Sequence, residues 1–502
     1  MAALAKGGRT NTMGFVIRAL GGIPFLFIGY RLYGVEDMGR FAAAFVIIEI
    51  FALICALGEK RGLAQRLTEG ADEDGQRRVN LVFDGMLACL LVSILVAAAL
   101  ILFPRIMFPD GTNSDLDMWM IAAIPAFALT EILLAAQAYK HDIATTVRAR
   151  AIVEPWTRSI CAGVFFFIPA ISEAGLAMAF LASIYAALAT ALWSFLRTYG
   201  LPKGWRPRPN YLLKMTSRSL PLVGADVIER GTRLLDVFLL GQATSSATVG
   251  IYFFAKEIAS LPQKLKTSFE PILSPVITKN LKIGNMEAIA AQVRQVGFWI
   301  IALQLGVALA LSIPGEAIMG LGGPAIVGGT GALAILLAAE VVASMAVVSE
   351  SVLVYIARKR NLLMSVGIIT LQGALTIAFI FLAEHLGLDE GYKAAGAALA
   401  LFVALGVSSI IKSQVLKTLL KAPVSNWRWG LLWATGPAVV VGFLFTQFLP
   451  EWTELVFGIP VIFGTYMLVI WKRSFRPEDK VLFRKKVVET ELSLDSSESE
   501  SK

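Results

Sequence analysis

The sequence predicts an all-α polytopic membrane protein, and three observations predict it. Apolar and aromatic residues make up 56% of the 502 residues and charged residues only 16%, a balance outside that of ordinary soluble domains. A window of roughly 19 residues finds about fourteen apolar runs. Lysine and arginine then alternate from one inter-run segment to the next, as a chain threading a bilayer requires.

The spans fall near 13–33, 40–57, 79–103, 118–139, 153–171, 174–196, 218–241, 246–266, 290–313, 330–356, 362–383, 393–417, 428–449 and 454–472. With the N-terminus inside, most of the 45 lysines and arginines lie on the cytoplasmic side. Of those outside the spans, only Arg31, Arg40, Arg105 and Lys393 fall on the opposite side, where the loops are acidic (Asp110, Asp115, Asp117, Glu384, Asp389, Glu390, Glu451, Glu454). The reading places both termini in the cytoplasm. The lead-in MAALAKGGRTN has no small-residue cleavage pattern and is read as preceding an uncleaved first span.

The net charge of +8 therefore reflects topology and attraction to anionic membrane lipid, not nucleic-acid binding. Cys55, Cys89 and Cys161 sit far apart in or beside apolar runs, and His141 and His385 are the only histidines. Neither a disulfide framework nor a metal or cofactor site is expected. The glycine-rich stretch Gly320–Gly331 lacks the lysine and preceding strand of a phosphate-binding loop. Catalytic residues are not expected, and the chain is read as a transporter rather than an enzyme.

A short repeat divides the chain. Gly39-Arg40-Phe41, followed by Ala44 and Ile48, matches Gly250-Ile251-Tyr252, followed by Ala255 and Ala259. Both copies open an even-numbered span after a short turn. The expected organisation is a six-helix lobe over 1–200, a basic proline-bearing linker over 201–217, and a second six-helix lobe over 218–420. Two further helices follow over 421–473, then a polar, disordered cytoplasmic tail over 474–502.

The seventh span is the least ordinary. It carries Asp226, Glu229, Arg230, Arg233 and Asp236, which at ~100° per residue fall in one arc of a continuous helix. Asp226 with Arg230, and Glu229 with Arg233, have favourable i,i+4 spacing. Charges at bilayer depth cost about 2.5–3.5 kcal/mol each unless they face protein or water, so this face is expected to line a polar cavity between helices. Arg18 shares its face of the first span with Gly14, Gly21 and Gly22. Arg18, Arg230 and Arg233 are the intramembrane arginines and the candidate substrate-binding residues. Asp226, Glu229 and Asp236, with the lone carboxylates Glu49 and Glu340, are candidates for structural pairing or for coupling to H⁺ or Na⁺. Glu49 is expected to pair with an arginine of another helix, Arg18 for instance. Glu350, Lys256 and Glu257 read as paired or solvated, and Tyr30, Tyr33, Trp119 and Trp193 as an interfacial aromatic belt. Glu131 and Asp84 also lie in spans and receive no role.

Two stretches resemble a known family. FLFIGYRLYGVEDMGRFAAAFVIIEIFALICALGEKRGLAQRL (Phe25–Leu67) is similar to the opening of polysaccharide-transport flippases of the multidrug/oligosaccharidyl-lipid/polysaccharide exporter superfamily. LLDVFLLGQATSSATVGIYFFAKEIASLP (Leu234–Pro262) resembles that family's second-half signature. The chain departs from the pattern at Gly58-Glu59-Lys60-Arg61, where many relatives close the second helix with Gly-Leu. The resemblance implies movement of a polyprenyl-diphosphate-linked glycan (an O-antigen, capsule or exopolysaccharide repeat unit) between leaflets of a bacterial inner membrane. Other polysaccharide-assembly membrane proteins are the implied partners. A lipid II flippase is the nearest alternative, ahead of a drug/cation antiporter or a membrane polysaccharide polymerase or ligase.

Overall fold

In the computed structural model, the residues described are 21–58, 62–63, 66–67, 75–109, 111, 117–207, 209–266, 277–278 and 280–475. Among them the chain is helical throughout, with no strand. The first helix, α1, occupies residues 21–28 and widens into the π turn Gly29–Tyr33. There follow α2 (Val35–Cys55), α3 (Gly75–Leu102), α4 (Ala123–Tyr139), α5 (a continuous run from Ile143 through the π segment Val147–Val153 to Phe166) and α6 (Gly175–Tyr199). The second half begins with α7 (Pro209–Gly231) and α8 (Leu235–Gly241), then α9 (Ser246–Lys266), α10 (Met286–Ser312), α11 (Thr330–Ile356), α12 (Arg358–His385) and α13 (Glu390–Leu420). The last two are α14 (Gly430–Phe448) and α15 (Ile459–Arg473).

Ten helices among the described residues are long and apolar enough to cross a membrane. The other four expected spans fall on α1, on α5 with its π segment, on the divided pair α7–α8, and on α9 with its internal Lys256 and Glu257. The outer surface is apolar, as bilayer requires of it: Leu95, Phe381 and Trp433 are 70%, 65% and 72% exposed.

The helices pack in two groups. In the first, α4 and α5 flank α6, and α3 lies on α4; in the second, α10 and α12 do not rival the closest pair, α11 on α13, with α12 also against α13. The α14–α15 hairpin packs on α10 through Phe298, Ile301, Leu431 and Tyr466. The join between the groups is α2 against α9. Here the two copies of the repeat meet. A Cβ on Gly39 would fall on the carbonyl oxygen of Ser246, and one on Gly250 would fall on that of Val35. Small residues let the two backbones touch, which is how helices associate where lipid removes the hydrophobic drive. Gly34, at φ 92°, makes the turn that sends α2 into this crossing.

An apolar core containing Met38, Phe41, Tyr252, Phe254 and Leu333 runs through both groups. Toward the opposite, basic end each group has a core of its own: Leu57, Val82, Ile132 and Phe195 in one, Ile289, Val348 and Leu416 in the other. The groups thus converge at the acidic end and hold separate cores at the basic end. α7 reaches across, touching α2, α3 and α12.

The seventh span departs from expectation. It is not one helix: α7 stops at Gly231, residues 232–234 form a turn, and α8 restarts at Leu235. Glycine is a poor helix former, and Arg230 at the end of α7 and Arg233 within the turn pair with carboxylates of different helices. The single ionic face is therefore split. Tyr30 and Tyr33 also depart from the belt reading. Tyr30 is buried, its hydroxyl donating to the Gly250 carbonyl at 2.5 Å, and the Tyr33 hydroxyl donates to the Ala162 carbonyl at 2.7 Å. Trp119 and Trp193 are exposed, as a belt would have them.

Candidate functional site

The two spans most enclosed by protein are those of α2 and α11, 61% and 67% buried over their apolar windows. Each carries a buried carboxylate in mid-helix, Glu49 and Glu340, and each of these is met by an arginine from the α7–α8 break. Arg230 forks onto Glu49 Oε1 through both Nε (2.8 Å) and Nη2. Arg233 Nη1 reaches Glu340 Oε1. Among the described residues, Glu49 Oε2 and Glu340 Oε2 are buried without a hydrogen-bond partner. The Arg230 side chain is 48% exposed while that of Glu49 is 9%, so the guanidinium lies open to the cleft with its counter-ion beneath it.

Asp236 turns away from this opening. It is fully buried and accepts from the Val237 amide at 2.9 Å, the Tyr252 hydroxyl at 2.6 Å and the Lys256 ammonium. Three donors on one carboxylate make a closed ionic knot between α8 and α9. A buried charge needs such pairing. Asp236 and Lys256 are thus paired with one another inside the protein.

A third cluster was not legible as a unit. Arg150, in the π segment of α5, donates to Glu131 at 2.5 Å and Glu154 at 2.7 Å and covers the Phe127 ring at 4.2 Å. Arg158 approaches Glu154 at 3.8 Å. Glu131 and Glu257 are close enough to act on Arg230 electrostatically. Its only sequence signal is the four-residue spacing of Arg150 and Glu154 beside the lone Glu131. The loop reading of 140–158 concealed it.

The expected residues therefore separate. Arg230 meets Glu49 and Arg233 meets Glu340, so Glu49 pairs with an arginine of another helix as expected, while the charges of the seventh span do not share one face. The partner of Glu49 is Arg230, because the α7 break swings that arginine toward α2. Arg230 turns to Glu49 and not to Asp226 four residues before it. Glu229 is exposed and Asp226 half-buried on the last turns of α7. Arg18 lies outside the described residues. Glu350 pairs with Lys412 at 2.7 Å nearer the basic end, and Asp84 accepts from Trp205 Nε1 at 2.8 Å.

The two helix groups make a multi-pass helical membrane fold, and solved structures share that fold. A multidrug resistance MATE family transporter of the MOP superfamily, in its inward-facing conformation, aligns with TM-score 0.66 at 14% identity, over 81% of this chain and 94% of that one. The lipid II flippase MurJ, in an inward closed conformation, aligns with TM-score 0.67 at 12% identity, over 95% and 99%. A MOP superfamily transporter from Pyrococcus furiosus, described as having a binding pocket of reverse polarity, aligns with TM-score 0.57 at 15% identity, over 84% and 95%. No curated protein matches the chain by sequence. The chain belongs to the polysaccharide biosynthesis protein family, whose sequence pattern matches residues 4–281, and so to the MOP superfamily of transporters and flippases.

Proposed function

We propose that the protein is a flippase that carries a polyprenyl-diphosphate-linked oligosaccharide from the cytoplasmic to the outer leaflet by alternating access of two six-helix lobes. The observation that carries this reading is Arg230, half exposed to the cleft, paired below with Glu49 and followed three residues later by Arg233. A diphosphate is recognised by planar forks of this kind, and the two counter-carboxylates would offset the arginine charge when no substrate is present. Glu49 and Glu340 are the candidates for proton or Na⁺ coupling, since each keeps a buried oxygen without a partner among the described residues. The basic end would face the cytoplasm of a bacterial cell, and the protein would transport without chemical turnover.

The test is mass spectrometry of lipid-linked oligosaccharides in cells deleted for the gene and rescued with wild type or with Arg230→Ala. A defined polyprenyl-diphosphate oligosaccharide that accumulates on deletion, clears with wild type and persists with Arg230→Ala supports the proposal. Normal lipid-linked pools and normal surface glycan in the deletion, with no second flippase present, would sink it. A lipid II flippase is the second reading, favoured by the near-complete mutual coverage with MurJ. It predicts accumulation of lipid II in the same extract. Export of cationic drugs is disfavoured by arginines at the open face of the cleft.

A further inference from the structure

A second basic site lies outside the cleft, on the lipid-facing side of the first helix group. The α5 and α6 helices pack side by side, and each presents an exposed ridge at four-residue spacing. On α5 the ridge is Arg148, Ile152, Trp156, Ile160 and Val164; on α6 it is Arg197, Trp193, Ala189 and Tyr185. Both ridges are apolar along their length and end in an arginine at the same, basic end. Between these ends is a cavity of about 390 Å³ lined by Arg148, Ala189, Thr190, Trp193, Ser194 and Arg197.

The Asp142 carboxylate acts electrostatically on Arg148 from beyond ion-pair distance. Arg148 Nη2 donates to Thr145 Oγ1 at 3.1 Å, and the Arg197 guanidinium lies 5.1 Å from the centre of the Trp193 ring. Among the described residues neither makes an ion pair. The nearby acid is Asp142, which accepts from the Thr145 amide at 3.1 Å, the Thr145 hydroxyl at 2.5 Å and the Ser194 hydroxyl at 3.4 Å. Those three donors already occupy it. Trp193, 64% exposed, is placed as an interfacial tryptophan is, with an apolar body and a polar edge.

We infer that this cavity binds the phosphate head group of an anionic bilayer phospholipid, with the acyl chains lying along the α5–α6 groove. Two guanidiniums beside the single charge of Asp142 leave net positive charge for a phosphodiester, and their planar forks suit its oxygens, whereas the Thr190 and Ser194 hydroxyls already donate to the Ala186 carbonyl and to Asp142. From Arg197 to Tyr185 the helix rises about 18 Å, enough to run an acyl chain through one leaflet's hydrocarbon, about 15 Å. The groove faces bilayer, where phospholipid is the abundant phosphate. The site is independent of the cleft, so its failure would leave the flippase reading untouched.

The test uses the full-length protein in nanodiscs of phosphatidylcholine alone or mixed with phosphatidylglycerol, followed by native mass spectrometry of retained lipid. Wild type should retain phosphatidylglycerol, and Arg148→Ala/Arg197→Ala should retain about tenfold less. Lys359→Ala/Arg360→Ala, which removes two exposed charges of α12 at the same end, should retain it as wild type does. Arg148→Lys/Arg197→Lys, which keeps charge and bulk, should lose less than the alanine pair. Equal retention by wild type and the alanine pair overturns the site. Equal loss in the α12 control reduces it to surface charge and overturns it too. Adding polyprenyl diphosphate to the mixed nanodiscs distinguishes the sources: displacement of phosphatidylglycerol at equimolar amounts would assign the cavity to the lipid-linked cargo and overturn the phospholipid assignment.

Discussion

At the residue scale, the chemistry rests on which charges face which. Arg230→Ala leaves Glu49 enclosed without its partner. Breaking a buried pair costs about 3–5 kcal/mol, but solvent already reaches nearly half of the Arg230 side chain, which lowers the expected loss to about 1–2 kcal/mol. Glu49→Gln/Arg230→Gln should recover most of that stability in detergent melts and still fail to clear lipid-linked glycan. Recovery of both would make the pair structural and remove it from the transport site. Asp236 is the harder case. Asp236→Ala strands Lys256, Tyr252 and the Val237 amide in a dry interior, and a loss of about 3 kcal/mol or more is expected, read as low yield and a depressed melting temperature. Charged residues inside apolar runs were legible because each one is costly and needs a reason. Their partners were not, since Glu49 and Arg230 stand 181 positions apart and Arg233 and Glu340 stand 107 apart. Sequence spacing on one helix points to Asp226 and Glu229; three-dimensional packing selects α2 and α11.

At the scale of elements, the α2–α9 crossing and the α7–α8 break matter most. Gly39→Leu would drive a side chain into the carbonyl of Ser246, so the two helices must part at the acidic end. Spin labels at Leu32 and Leu321, near the bonds from Arg31 to the Gly320 and Leu321 carbonyls, should report a longer distance in Gly39→Leu than in wild type. An unchanged distance would show that the crossing does not hold this end together. The repeat that flagged Gly39 and Gly250 could be read from the sequence because Gly-x-aromatic, followed by apolar residues at the same spacing, recurs early in two spans. That the two copies touch one another could not, because two like motifs need not meet. The break after Gly231 was hidden for a related reason: an apolar run with charges at helical spacing reads as continuous, and only pairing to two separate helices pulls it apart.

For the whole molecule, hydropathy and charge alternation conveyed the helical, membrane-spanning class, since bilayer admits few alternatives. They could not convey how α14 and α15 are used. Those helices cover α10 with Leu431, Ala434, Ile462 and Tyr466. Deleting residues 429–475 should uncover Phe298 and Ile301 and give an aggregated profile on size exclusion in mild detergent. A monodisperse, export-competent truncation would mark the hairpin as dispensable. The two tethers at the α7–α8 break have a mechanical meaning as well. Arg230 ties the turn to α2 of the first group and Arg233 ties it to α11 of the second. A short yoke is thus fastened to both halves at once, and the halves cannot rock apart without one fastening giving way. On the proposed function, an anion competing for either guanidinium would act as a release catch, making arrival of cargo and freedom of movement a single event.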